Sequence, residues 1–132
     1  MKKQTILLLG LLAVMSACNN QVKKPIGGDK DSHGCIAATG ASWSELKQNC
    51  IQVFNEGTRL NPVETKAGET VFSAFVVLND DQSKAELFLP ATKKTTIINK
   101  SANDLYANDT YRYDAKEGAL YINGIKKFTT KK

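Results

Sequence analysis

Few residues in this chain of 132 could do chemistry, and their spacing restricts what that chemistry could be. There is one histidine, His33, and there are three cysteines, Cys18, Cys35 and Cys50. A Ser-His-Asp or Cys-His arrangement would have to recruit His33 from a polar stretch broken by Pro25, Gly27, Gly28 and Gly34, which is no rigid platform for a general base. No glycine-rich loop of the phosphate-cradling kind is present. Glu86 and Glu117 are the candidate carboxylate pair, yet isolated acids on alternating strands usually belong to solvated faces. Asp80-Asp81 and Asn103-Asp104 could ligate calcium, and turn chemistry explains them equally well. The expectation is a non-enzymatic protein with no catalytic residue, no resident metal and no cofactor.

Cys18 has a different context. Lys2 and Lys3 form a basic segment, 6–14 is an apolar run too short to span a bilayer, and Met15-Ser16-Ala17-Cys18 closes it with small residues. This resembles a bacterial lipoprotein signal, which implies removal of 1–17 and lipidation of Cys18. An ordinary secretory signal with an unrelated Cys18 is the competing reading. A lipidated chain is held on its membrane by acyl carbons and needs no transmembrane helix. The residue after the cysteine is Asn19, not an acid, and by resemblance to the known sorting pattern this favours the outer membrane of the cell envelope.

Removal of 1–17 leaves roughly 115 residues, enough for one domain with its own core. The full chain carries a net charge of +5, and loss of Lys2 and Lys3 leaves about +3, too mild an excess to argue for nucleic acid. Lys93-Lys94, Lys126-Lys127 and Lys131-Lys132 would favour an acidic surface or anionic cleft as partner if they cluster; a solvated surface with a basic tail is the simpler account. With Cys18 assigned to lipid, Cys35 and Cys50 remain as a pair in an exported protein, and a disulfide between them is predicted. It would close a loop of about 15 residues and contribute roughly 3 kcal/mol on chain-entropy grounds. A metal site is the rival, with a poor ligand set of two cysteines and His33.

These residues need elements to hold them. Segment 18–34 has no apolar periodicity and reads as the lipidated cysteine with a flexible tether, reaching on the order of 20 Å. Segment 35–63 is a Cys-bearing motif with two readings. Ser42 with Glu45 fits a capping box, and Trp43, Leu46, Cys50, Val53 and Phe54 recur at helical spacing, which argues for a helix over 43–55. Alternatively, Gly34-Cys35, 38–43 and Cys50-Ile51 with Phe54 resemble a small cysteine-bearing module of exported proteins, which implies a disulfide-pinned hairpin of strands 43–47 and 50–54 turning at Gln48-Asn49. The hairpin is slightly favoured, and both readings put Trp43 and Phe54 in a core.

Segment 64–132 reads as an antiparallel β domain. Strand 71–78 is apolar on both faces, 79–83 is rich in turn formers, and in 85–89 Ala85, Leu87 and Leu89 share a face opposite Glu86. Pro90 ends that ladder. A short strand at 95–98, a polar loop over 99–109, a strand at 110–113 and a hairpin of 119–122 with 125–128 about Asn123-Gly124 complete the chain. About six short strands with few helix signals suggest a small antiparallel β-barrel or a strongly curved meander sheet.

The C-terminal half also carries a resemblance. Lys84-Ala85-Glu86-Leu87-Phe88-Leu89-Pro90, Ser101 before Tyr106, Tyr111 to Tyr113, and Lys116-Glu117-Gly118-Ala119-Leu120 are similar to the membrane-bound and periplasmic inhibitors of C-type lysozymes. The resemblance implies an eight-stranded antiparallel barrel whose first loop presents a serine, here Ser101, and whose second presents a lysine, here Lys116, to the lysozyme cleft. It covers about 45 residues. The first loop lacks the family's second serine and glycine, the glycine of the second is displaced to Gly118, Tyr113 stands for a tryptophan, and both remaining cysteines precede the barrel strands. The competing function is an envelope lipoprotein that binds a glycan, peptide or partner protein through the barrel face. An exposed cluster of Tyr106, Tyr111, Tyr113 and Tyr121 would favour it.

Overall fold

The computed structural model describes residues 29–131; the expected signal segment 1–17, Cys18 and the expected tether as far as residue 28 lie outside the described residues. A two-stranded hairpin, β1 (Ala41–Ser44) with β2 (Asn49–Gln52), leads through a single helical turn, α1 (Val53–Glu56), into eight barrel strands. These are β3 (Thr58–Pro62), β4 (Ala74–Leu78), β5 (Lys84–Phe88), β6 (Thr96–Ala102), β7 (Leu105–Ala107), β8 (Tyr111–Asp114), β9 (Ala119–Ile122) and β10 (Ile125–Thr129). Each pairs antiparallel with its neighbour in sequence, and β10 closes on β3. The closing seam is short, with Phe128 opposite Pro62 and Thr129 opposite Asn61.

The two-faced hydrophobicity of β4 explains how the parts fit together. Ala74 and Val76 point into the barrel with Leu60, Ala85, Leu87, Ile98, Tyr106, Tyr113 and Leu120, and these make the main core. Val77 points outward and packs with Ile51, Val53, Phe75 and Phe88. The Cys-bearing motif therefore lies as a patch over the outer face of β4 and β5. A sheet with one face inside a barrel and the other under a hairpin must be apolar on both sides.

A hairpin and not a helix forms in this segment, but its strands are Ala41–Ser44 and Asn49–Gln52 in place of 43–47 and 50–54, and its turn precedes the expected Gln48-Asn49. Ser44 Oγ accepts the Lys47 N–H at 3.0 Å, and Gln48 takes φ +51°, so the chain turns at 45–48. Helical structure among the described residues is a single 3-10 turn at Ala37–Thr39 and the single turn of α1, and Ser42 lies in β1, so the capping box is not used. Cys35 and Cys50 form the predicted disulfide, with Cα atoms 5.6 Å apart.

Several expectations are corrected. The strand expected from Val71 begins at Ala74; Val71 and Phe72 are exposed at the end of the irregular 63–73 connection. The polar loop over 99–109 is instead the end of β6, a tight turn at Asp104 (φ +57°) and β7. Its polar residues face outward while Tyr106 alone fills the core, so alternation over so few residues left little trace. Thr58–Pro62, assigned from sequence to the Cys motif, is a barrel strand through Leu60. Phe54, expected in a core, is largely exposed and lies against Gly40, whose missing Cβ leaves room for the ring. The end of the expected tether, 29–34, is held to the motif through a Lys30–Ile36 bridge and the Asp31 carboxylate.

Candidate functional site: one end of the barrel

In a barrel of sequential antiparallel strands, alternate connections share an end, so the β4–β5, β6–β7 and β8–β9 connections lie together. Backbone bonds lock them to one another. The Ala115 N–H donates to Asp104 O at 2.7 Å, joining the β8–β9 turn to the β6–β7 turn. The Lys100 N–H donates to Ser83 O at 2.9 Å, and the Tyr106 hydroxyl to Gln82 O at 2.7 Å, joining β6 and β7 to the β4–β5 loop. Turn chemistry shapes each loop from within: Asp81 Oδ1 accepts the Ser83 N–H at 3.0 Å, and this serine's hydroxyl and amide hold the Asp81 carboxyl below its usual range.

Ser101 and Lys116 both belong to this end. The register between β6 and β7 slips between Lys100 and Ala102, which makes Ser101 the extra residue of a bulge. It is exposed, and its hydroxyl makes only a long bond to Leu105 O at 3.4 Å. Lys116 sits exposed in the β8–β9 turn. The turn is built by Asp114, whose carboxylate accepts the Glu117 N–H at 2.9 Å and whose carbonyl accepts the Gly118 N–H at 2.8 Å. Gly118 adopts φ +69°, and a Cβ there would lie 2.2 Å from Thr130 Oγ1, so glycine is required.

The neighbouring acid does not neutralise Lys116. Glu117 turns toward the barrel wall, where its carboxylate accepts Lys126 Nζ at 2.6 Å and the Tyr121 hydroxyl at 2.9 Å. The bond from Lys126, then that from Tyr121, lowers the Glu117 pKa; the same carboxylate raises those of Lys126 and Tyr121. The Arg112 guanidinium lies 4.0 Å over the Tyr121 ring. Lys116 makes no ion pair among the described residues.

The other candidate residues go elsewhere. Tyr106 and Tyr113 are core, with ring centroids 6.1 Å apart, and burial raises both hydroxyl pKa values. Their burial removes the exposed tyrosine cluster that a sugar-stacking face would need. His33 stacks on Trp43 at 4.4 Å, 2° from parallel, and its nearest acid, Glu45, is 4.0 Å away. That stack lines a cleft of about 670 Å³ with Asp31, Lys93 and Lys94, between the Cys-bearing motif and the β5–β6 connection. Trp43 Nε1 is buried without a hydrogen-bond partner among the described residues. No group of three His, Cys, Asp or Glu among them could hold a metal ion.

Glu86 is the residue that sequence reasoning misjudged. It is 0 % exposed, on the outer face of β5 and under the β1–β2 turn. Its Oε1 accepts the Glu45 N–H at 2.9 Å and the Thr95 hydroxyl at 2.5 Å; its Oε2 accepts the Ser44 hydroxyl at 2.5 Å and the Leu46 N–H at 3.3 Å. These donors replace water around a buried carboxylate, and they pin the Cys-bearing motif to the barrel. A signal existed in its pairing: its cross-strand partner Val77 and the adjacent outward residues Phe75 and Phe88 are apolar, and a solvated face would not be.

No family model matches this chain, and no curated protein or solved structure matches it either.

Proposed function

We propose that this is a non-enzymatic, lipid-anchored envelope protein that inhibits a C-type lysozyme by seating the β6–β7 and β8–β9 loops, with Ser101 and Lys116, in the enzyme's cleft. The observation that carries this reading is the bond from the Ala115 N–H to Asp104 O, which fastens the two loops side by side at one end of a closed barrel. The chemistry follows from the target. Such an enzyme cleaves a glycosidic bond between two carboxyl groups, and an ammonium placed between them pairs with the ionised one while its stem occupies the substrate's path. Lys116 is suited to this because Glu117 is committed to Lys126 and Tyr121. Loops already tied to their neighbours lose little conformational entropy on docking, which favours affinity. Anchoring through Cys18, in the outer membrane, would keep such an inhibitor where lysozyme meets the cell wall.

The test is inhibition of a C-type lysozyme's lysis of a cell-wall suspension by the chain from Asn19 onward, beside Lys116→Ala and Ser101→Ala. Inhibition weakened in both variants, each still folded by circular dichroism, supports the reading. No inhibition at micromolar excess of folded protein refutes it for that class of lysozyme.

A further inference from the structure

The opposite end of the barrel has a different character. There the β3–β4 connection leaves Val63, Val71 and Phe72 exposed, by 46 %, 49 % and 62 %. Val71 and Phe72 line a hollow of about 220 Å³ together with Pro90 of the β5–β6 connection. A few residues along that connection stand Lys93 and Lys94, both exposed and without an ion pair among the described residues. The carboxylates that share their cleft have other partners: Asp31 accepts the His33 and Cys35 N–H groups, each at 2.9 Å, and Glu45 meets the Gln48 amide at 3.3 Å and His33. Glu64 and Glu69 of the β3–β4 connection line the same hollow and, with exposed Lys66, leave that connection one net negative charge, which the two charges of Lys93 and Lys94 outweigh.

The path of the chain says what this end faces. Asp31 and His33 line the same cleft as Lys93 and Lys94, so the segment that leads back to Cys18 reaches the domain beside these two lysines. The span from Cys18 to Asp29 is 11 residues, with an extended limit of about 40 Å and a typical reach of about 20 Å. An anchor at Cys18 would therefore join the domain on the side of Lys93 and Lys94 and keep this end within reach of the bilayer. Exposed aliphatic and aromatic side chains flanked by unpaired lysines suit an interface in which apolar groups enter the headgroup boundary and ammonium groups meet lipid phosphates.

We propose that the end of the barrel bearing Val71, Phe72, Lys93 and Lys94 docks on an anionic lipid surface, holding the opposite end away from the membrane. This rests on the lipid-anchor reading of Cys18 and is independent of the lysozyme reading. Neither lipid chain nor anchor alone would set the domain's orientation; the docked end does.

The experiment is co-sedimentation of the chain from Asn19 onward, which retains the whole described barrel and hairpin, with vesicles of phosphatidylglycerol in phosphatidylcholine and with phosphatidylcholine alone. Binding is expected at millimolar lipid to the anionic vesicles, falling as salt is raised. Val71→Ser with Phe72→Ser lowers partition by about tenfold or more, and Lys93→Ala with Lys94→Ala by about fivefold per lysine. Lys116→Ala leaves it unchanged. Absence of binding to anionic vesicles, or equal binding by the Val71/Phe72 variant, overturns the proposal. Lysozyme inhibition measured on the same samples reads the functional proposal separately, and the acyl mass on Cys18 of the full-length chain purified from cells reads the anchor.

Discussion

Replacing Glu86 by glutamine changes one oxygen to an amide nitrogen in a site where every contact is a donor, and the structure sets the cost. Hydroxyls can rotate to accept, so Ser44 and Thr95 can accommodate an NH2 group; the backbone N–H groups of Glu45 and Leu46 cannot. The cheaper orientation puts the amide nitrogen at the Oε2 position, where it opposes the Leu46 N–H now held at 3.3 Å and keeps the shorter bond from Glu45 at 2.9 Å. One buried donor is orphaned, at about 1–3 kcal/mol, and the remaining bonds weaken as they become neutral. Loss of the cost of burying a charge offsets part of this, so Glu86→Gln is expected to destabilise by about 2 kcal/mol. Glu86→Leu orphans both N–H groups and is expected to cost about 4 kcal/mol. For a domain of this size the glutamine variant lowers the melting temperature by roughly 8–16 °C. Urea unfolding of both variants, with a double-mutant cycle against Ser44→Ala, measures it; the cycle should show less than additive losses because the two side chains share a bond. A Glu86→Gln midpoint within about 0.5 kcal/mol of the parent, or a leucine variant as stable as the parent, would refute the role assigned to this carboxylate.

Three further outcomes follow from the geometry. Cys35→Ser with Cys50→Ser should cost about 3 kcal/mol in chemical denaturation and blunt the near-ultraviolet signal of Trp43, while the far-ultraviolet β signal persists, because the 15-residue loop lies wholly outside the barrel. Gly118→Ala should lose about 1–3 kcal/mol through its positive φ and the contact with Thr130, with Thr130→Ala restoring only the contact's share, read from melting temperatures. Glu117 has a lowered folded pKa, so its stabilisation is present above its ordinary value of 4.5 and is lost as pH falls through the lowered value. The difference in melting temperature between parent and Glu117→Gln should therefore be constant near neutrality and shrink in acid, and a difference that widens in acid would contradict the assignment.

The parts of the fold legible in the sequence were those with a strong local signature. Ala85 and Leu87 alternate cleanly, Asn123-Gly124 supplies two positive φ values (+52° and +78°) for a tight hairpin, and with Cys18 set aside the two remaining cysteines have one partner choice. β3 and β7 were missed because each contributes one large inward residue, Leu60 or Tyr106, to the core, and a single residue makes no pattern. At the candidate site, resemblance supplied Ser101 and Lys116, but nothing local indicated that Ser101 is a bulge residue or that Glu117 turns away to Lys126; both depend on cross-strand register. Glu86 failed for the same reason, since three of its four donors, on Ser44, Glu45 and Leu46, lie 40 to 42 residues away.

The seam between β3 and β10 bears on the order in which the molecule assembles. All other barrel pairings join neighbours in sequence and can form as local hairpins, whereas the seam joins 61–62 to 128–129 through two opposed residue pairs and the bond from the Val63 N–H to Lys127 O. Its loop-closure entropy is the largest in the sheet, so the seam is the natural last step of folding and the first gap to reopen. Until then two strand edges stand bare. Pro62 on one edge and Lys126-Lys127 on the other are the residue types that discourage a foreign strand from joining, so the closing strands carry their own protection against mispairing before they meet.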